Sequence, residues 1–403
     1  MRSVSEHLSA CLAAVSQLPP LEVLLPDTVG CVLADDVIAG ADLPVDDLAG
    51  LDGYAVRAQD VTTATAEDPA RLRVLDELRA GAVDPLRLIP GSAVRIASGA
   101  PLPGEANAVV PIEQTDFGRA EVEIRASVAA GENVRRKAED LRGGEVVLAA
   151  GERIGARQIA LLAAAGRGRV SVYPRPRVVI VSIGDELVEP GRPASPGQVY
   201  DANGHALATA LQDAGGATFR VAAVPDRQHE LRETLEDQLV RADLIVTTGG
   251  LSYGANDTVK EVLAPLGTVR FDSVAMTPGR QLGVGHIGEG TPIFALPGDP
   301  VAVQVAFEMF VRPALLTMAG YQDLYRGSVR AATTDGWASP AGRREFVRVH
   351  LTGDPRGGYQ AEPMGEPGKL LVSGLARANA LAVVPEEVTT VRPGERLACI
   401  LLD

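Results

Sequence analysis

The chain has 403 residues, 46% of them hydrophobic, and a formal net charge of −14. That length exceeds one ordinary domain and supplies apolar material for several cores, so two to four domains are expected. The acidic balance argues against a nucleic-acid partner, which needs concentrated Lys and Arg, and no uninterrupted apolar run is long enough to span a membrane.

The N-terminus, Met1-Arg-Ser-Val-Ser-Glu-His7, lacks the basic start, apolar core and small-residue cleavage site of a signal peptide, so a cytoplasmic location is expected. From Ser3 to Leu18, Val4, Leu8, Leu12 and Val15 recur at helical spacing, with Ser3 or Ser5 available as cap and Pro19-Pro20 as terminator. A second helical segment, Ile154 to Ala165, is expected to pack with the first and make an elongated domain from discontinuous pieces. Between them, over roughly 45 to 140, runs such as Arg71-Leu-Arg-Val-Leu75 and Glu121-Val-Glu-Ile-Arg125 alternate between Gly and Pro punctuation, as in a small inserted β domain. The stiff segment Tyr173-Pro-Arg-Pro-Arg177 marks a boundary.

Strands and helices then alternate: a strand Arg177 to Ile183, a helix from about Asn203 to Ala214, a strand Thr218 to Val224, a helix Arg227 to Arg241 and a strand Asp243 to Thr248. Further strands are expected at Gln281 to His286 and Ile293 to Leu296. This pattern predicts a largely parallel sheet with right-handed crossovers, whose ligands bind beyond the carboxyl ends of the strands. Val301 to Met318, interrupted by Gln304, Glu308, Arg312 and Pro313, reads as a buried helix. After about 325, Glu345-Phe-Val-Arg-Val-His-Leu351, Ala380-Leu-Ala-Val-Val384 and Arg396-Leu-Ala-Cys-Ile-Leu-Leu402 predict a C-terminal β barrel or sandwich.

Two strand ends run into glycine-containing loops that suit anions. One is Leu244-Ile-Val-Thr-Thr-Gly-Gly-Leu-Ser-Tyr-Gly-Ala-Asn-Asp-Thr-Val-Lys260, and the other is Ile293-Phe-Ala-Leu-Pro-Gly-Asp-Pro300, where Asp299 can cap a helix begun by Pro300. A third strand ends in Ser182-Ile-Gly-Asp-Glu186, which brings carboxylates to the same edge. Neither the Gly-x-Gly-x-x-Gly nor the Gly-x-x-x-x-Gly-Lys-Ser/Thr pattern is present. The five histidines form no metal or triad pattern, and Cys11, Cys31 and Cys399 are too widely spaced for a zinc site or a disulfide framework.

In order along the chain, Leu51-Asp-Gly-Tyr-Ala-Val56, Ser98-Gly-Ala-Pro-Leu-Pro103, Asn133-Val-Arg-Arg-Lys-Ala-Glu-Asp140, Ile183-Gly-Asp-Glu-Leu187, Gly197-Gln-Val-Tyr-Asp-Ala-Asn203, Thr248-Gly-Gly-Leu-Ser-Tyr-Gly-Ala-Asn-Asp257, Met276-Thr-Pro-Gly-Arg280 and Leu296-Pro-Gly-Asp-Pro300 form an ordered set. As a set they resemble the molybdopterin molybdenumtransferase family, the MoeA and gephyrin E-domain proteins that complete molybdenum cofactor synthesis. The resemblance implies a multi-domain α/β plus β subunit: an elongated domain of 1–44 with 141–173, an inserted β domain of 45–140, a three-layer α/β molybdopterin-binding domain of 174–322, and a C-terminal β-barrel-like domain of 323–403.

It also implies a homodimer with active sites shared between subunits. The reaction implied converts adenylylated molybdopterin and molybdate to molybdenum cofactor and AMP, with Mg²⁺ as cofactor. Glu186 and Asp257 would hold the metal, while Asp52, Ser98 and Asp140 would approach from the partner subunit. Gly249, Gly250 and Ser252 would cradle phosphate, Asp185 would lie near nucleotide or metal, and Lys260 and Arg280 would stabilise developing negative charge. Molybdate would meet Pro297, Gly298, Asp299, Pro300 and Arg348.

This chain departs from the family pattern at Leu48 and Ala49, where polar residues are usual, and at Asp299, usually Asn. Ser273, Thr277 and Arg280 replace common lysines. Lys369 stands where serine is frequent and is expected to offset lost charge. A molybdopterin adenylyltransferase and acceptor molybdoenzymes are the expected protein partners. The alternatives are a molybdopterin adenylyltransferase, whose single domain the 175–320 region resembles, and a non-catalytic divergent paralogue or scaffold.

Overall fold

The computed structural model of the chain describes residues 1–82, 86–251 and 257–402. Their contacts divide them into two compact units, one of Met1–Glu22, Gly30–Ala34 and the chain from Ser171 onward, the other of Val23–Val29 and Asp35–Val170.

The first unit is built on strands β1 (Arg177–Ser182), β2 (Ala217–Arg220), β3 (Leu244–Thr248), β4 (Arg270–Ser273), β5 (Gln281–Ile287) and β6 (Thr291–Leu296), in the sheet order β2-β1-β3-β6-β5-β4. Strands β2, β1, β3 and β6 are parallel, and β5 runs antiparallel to both of its neighbours. The β-branched run Val178-Val-Ile-Val181 is buried throughout, as a parallel strand covered on both faces must be. Its alternate residues separate two cores. Val178 and Ile180 face one that includes helices α1 (Val4–Ala13), α2 (Ala202–Asp213) and the later helix Pro300–Met318. Val179 and Val181 face another built with α3 (Gln228–Leu239) and α4 (Thr258–Leu266). The result is three layers, with Pro300–Met318, hereafter α5, as a core helix whose most apolar window is 72% buried.

Helix α1 is shorter than its apolar spacing predicts, and it begins with a capping box: the Ser3 hydroxyl accepts from the Glu6 amide while Glu6 reaches back to the Ser3 amide. Val4 and Cys11 join the core around Phe310 and Met318, whereas Ala156–Ala164 belongs to the other unit and packs on Leu25–Thr28 and Val146–Leu148.

Strands β7 (Ser328–Thr333), β8 (Arg344–Asp354), β9 (Gly358–Pro363), β10 (Ala380–Val384) and β11 (Arg396–Leu401) run in the order β8-β9-β7-β11-β10, and β10 pairs back to β8. That closure makes a barrel rather than a sandwich and leaves no edge open. Its interior is filled by small or β-branched side chains such as Ala331, Val349, Ala361, Ala382 and Val384, together with Cys399.

The second unit centres on a five-stranded sheet in the order Ala108–Pro111, Gly53–Val56, Ser92–Ile96, Ala70–Leu78, Glu121–Ile124. Tyr54 and Val56 face one core, Ala55 the other. Only glycine fits at 53, where a Cβ would lie 2.0 Å from the Val110 carbonyl oxygen.

Candidate active site

Strand β1 is flanked by β2 on one side and β3 on the other, so the chain leaves β1 in one direction and later returns on its opposite side. Such a reversal opens a crevice at the carboxyl ends of the strands. Ser182, Thr248 and Leu296 lie in register, so Ile183–Glu186, the Gly249-Gly250 loop and Pro297–Pro300 all leave the sheet at one edge. A Cβ at Gly249 (φ +88°) would meet the Ile183 carbonyl oxygen at 2.2 Å, and one at Gly250 (φ +64°) would meet Val259 at 2.5 Å. The glycine pair therefore lets β3 turn hard against the end of β1. Ser252 lies outside the described residues.

A buried polar network ties these loops together. Asn203, on the first turn of α2, donates through Nδ2 to the Thr248 hydroxyl (2.9 Å) and to the Gly298 carbonyl (2.7 Å), and Thr248 donates to the Pro297 carbonyl (2.8 Å). Asp201 caps α2 through the Gly204 amide and accepts from the Ser182 hydroxyl at 2.9 Å. Arg220 bridges Asp201 and Glu189; its hydrogen bonds hold the Glu189 carboxyl below the usual range, and Glu189 in turn holds the guanidinium above its own.

The expected carboxylates occupy two kinds of place. Asp185 and Glu186 are exposed, and Asp185 accepts from the Asp226 amide at 3.3 Å. Asp257 is buried, caps α4 through the Lys260 amide and forms an ion pair with Lys260. Lys260 therefore neutralises a carboxylate, and its Nζ sits 5.9 Å from the Phe271 ring. Asp226 was not anticipated. Its Oδ1 is buried without a hydrogen-bond partner among the described residues, close to the space a Gly250 Cβ would fill. Among the described residues no three His, Cys, Asp or Glu side chains converge as a ready metal cage.

A second constellation surrounds Arg348 on β8. Thr277, Pro278, Val301, Glu345, Arg348 and Lys369 contribute to the lining of a cavity of about 20 Å³, room for one water-sized group. Arg348 is only 4% exposed and donates to the carbonyls of Lys369 (2.6 Å) and Leu371 (2.9 Å), with no carboxylate at ion-pair distance among the described residues. Burial pushes its pKa below the usual range, and the Asp299 carboxylate partly offsets this. Asp299 Oδ1 accepts from the amides of Val301 and Ala302, so the helix-start donors expected to receive an oxyanion already hold a carboxylate. Lys369, expected to supply free charge, is ion-paired to Glu366 at 2.5 Å. Arg280 is half-buried, and its carbonyl accepts from Val274. The Gly279 turn is packed against α5, where a Cβ would lie 3.2 Å from Ala302.

In the second unit, Asp52 accepts from the Ser98 amide at 2.7 Å, and both residues are exposed. Asp140 is exposed on a nearby sequence turn, its amide bonded to the Leu43 carbonyl, and its carboxylate does not bond to either. Ala49 is fully buried, and Leu48-Ala49 pairs with Val134-Arg135. Arg136 and Lys137 pair with Asp47 and Asp42.

Three segments match the families described as "MoeA N-terminal region (domain I and II)" over residues 2–166, "Probable molybdopterin binding domain" over 179–317 and "MoeA C-terminal region (domain IV)" over 330–402. The molybdopterin molybdenumtransferase 2 of Mycobacterium tuberculosis is 40% identical over 403 aligned residues, covering 98% of each chain. The chain belongs to the MoeA family of molybdopterin molybdenumtransferases. The enzyme of that name from Bacillus subtilis is 32% identical, covering 94% of this chain and 89% of its own. A crystal structure of the molybdopterin biosynthesis MoeA protein from Pyrococcus horikosii has a TM-score of 0.82 at 32% identity, covering 100% and 99% of the two chains.

Within this MoeA chain, Asn203, Asp201 and Asp226 join the site although no role was expected of them. The first two lie in the marker Gly197–Asn203, whose pairing of a cap residue with an amide was the available signal. Asp226 stands alone in sequence, and only its buried, orphaned oxygen distinguishes it.

Proposed function

We propose that the chain transfers molybdenum from molybdate to adenylylated molybdopterin, releasing AMP and molybdenum cofactor. The carrying observation is Arg348, a buried guanidinium beside a cavity that is hydrogen-bonded to carbonyls and has no carboxylate at ion-pair distance among the described residues. A buried cation left in that state is costly unless an anion completes it. The cavity is too small for a tetrahedral oxyanion as it stands, so residues 367–370 must yield on binding, and Arg348 grips that segment through its backbone.

The adenylylated pyrophosphate would lie over the β1–β3 crevice. Asp185, Glu186 and Asp226 would each offer a carboxylate oxygen from that sheet edge without forming a ready cage, so Mg²⁺ would take few protein ligands and complete its shell with phosphate and water. Bound Mg²⁺ would supply neutralisation of the pyrophosphate charge. Asp257 would join that set only by sharing its carboxylate with Lys260. Asp52 and Ser98, with Asp140, would approach from the second subunit of a homodimer, and the protein would act in the cytoplasm, receiving substrate from a molybdopterin adenylyltransferase and passing product to molybdoenzymes.

The test is AMP release by the purified protein from adenylylated molybdopterin with Mg²⁺ and graded molybdate. Saturable molybdate dependence, abolished by chelator and restored by Mg²⁺, is expected. Turnover of ATP without molybdate would instead indicate an adenylyltransferase, and dimerisation without AMP release a scaffold.

A further inference from the structure

The cavity loop has an unexpected anchor in the N-terminal segment. Arg2 donates its amide to the Ser273 carbonyl (2.9 Å) and accepts from the Ala275 amide (2.7 Å), which makes a parallel bridge opposite Val274 at the end of edge strand β4. Its guanidinium reaches Asp272 Oδ2 at 2.6 Å, and Arg270 Nε reaches Oδ1 at 2.9 Å. The buried His7 ring stands 3.6 Å from the same carboxylate and meets Phe310 of α5 edge-on at 4.8 Å.

The following residues are gripped by the barrel. The Ala275 carbonyl accepts from Arg344 at 2.9 Å, and Met276 and Thr277 pair with Arg344 and Glu345 on the strand that carries Arg348. The N-terminal segment thus holds residues 272–275 and β8 holds 275–277, with Ala275 shared between them. A slip of one residue along such a strand moves every side chain by about 3.3 Å and turns it to the opposite face.

We propose that Arg2, through Asp272, is a positioning residue for the oxyanion cavity: it holds the register of Val274–Thr277 and so keeps Thr277 and Pro278 in the cavity wall beside Arg348. This rests on the functional reading above only for its kinetic consequence.

The test uses full-length Arg2→Ala, Arg2→Lys and, as a control that weakens the same N-terminus without touching Asp272, Glu6→Gln. Hydrogen exchange of the free protein is read first. Faster exchange is expected across 274–280 in Arg2→Ala, reversed in Arg2→Lys and absent in Glu6→Gln. In the AMP-release assay, Arg2→Ala is expected to raise the molybdate KM about tenfold with kcat changed less than twofold. Unchanged exchange across 274–280, or the same change in Glu6→Gln, overturns the proposal. If wild-type AMP release ignores molybdate, the functional reading fails while the exchange result still decides the positioning role.

Discussion

Replacing Arg348 with Met separates an anion-binding arginine from a structural one. In the free protein the guanidinium makes two hydrogen bonds, to the carbonyls of Lys369 and Leu371. Charge-assisted bonds contribute roughly 1.5–3 kcal/mol each, so losing both costs about 3–6 kcal/mol. Against this stands the desolvation of a cation that is 4% exposed, several kcal/mol that Met does not incur. The two nearly cancel, since Lys369 and Leu371 are exposed and their carbonyls can turn to water. Stability should therefore change by no more than about 2 kcal/mol in urea unfolding. Binding is different, because removing the cation from a buried charge pair typically costs 2–5 kcal/mol, or at least about 30-fold in affinity. The molybdate KM should rise by at least that factor, and Arg348→Lys, which keeps the charge but lacks the planar fork, should fall between. A variant that is strongly destabilised yet keeps the wild-type molybdate KM would refute the reasoning.

Asp299→Asn keeps an oxygen for the Val301 and Ala302 amides and removes a negative charge near Arg348, so the molybdate KM should drop about fivefold, as expected for roughly 1 kcal/mol of relieved repulsion. Asn203→Ala frees Thr248 and Gly298 from each other and should cost about 1–2 kcal/mol of stability, with a raised KM for adenylylated molybdopterin measured at saturating molybdate. His7 links stability to pH: burial lowers its pKa from 6.5 to about 4, with Asp272 pulling the other way. Between those values the unfolded chain binds a proton the folded chain refuses, so stability falls as pH drops through that window, by ~2–3 kcal/mol at pH 4.5. His7→Leu should flatten that part of the urea-midpoint profile between pH 7 and 4.5.

Much of the architecture was legible because its signals are local. The strand expected at Arg177 to Ile183 and the Pro300 start with its Asp299 cap announced β1 and α5. Of the two candidate caps for α1, Ser3 and Ser5, the structure uses Ser3. The end of α1 and its partner were not legible, because Leu8, Leu12 and Val15 show an apolar face without saying which surface will cover it. Within the candidate site, Asp185, Glu186, Gly249, Gly250 and the Pro297–Pro300 turn could be assigned to one sheet edge from strand endings alone. Whether each charge is available was another matter: Lys369 is engaged by Glu366, Lys260 by Asp257, and the amides after Asp299 by its own carboxylate.

Chemistry that depends on neighbours in the chain was written in the order of residues: strand endings, caps, glycines that tolerate positive φ, and a set of motifs specific enough to name the family. Three-dimensional packing alone established that, among the described residues, Arg348 is buried with no carboxylate at ion-pair distance, that one Asp226 oxygen has no hydrogen-bond partner, and that Arg2 bonds to Asp272 and bridges to Val274. Each of those facts sets a residue against partners far away in sequence, and the free energy of a charge depends on what surrounds it once water has been excluded.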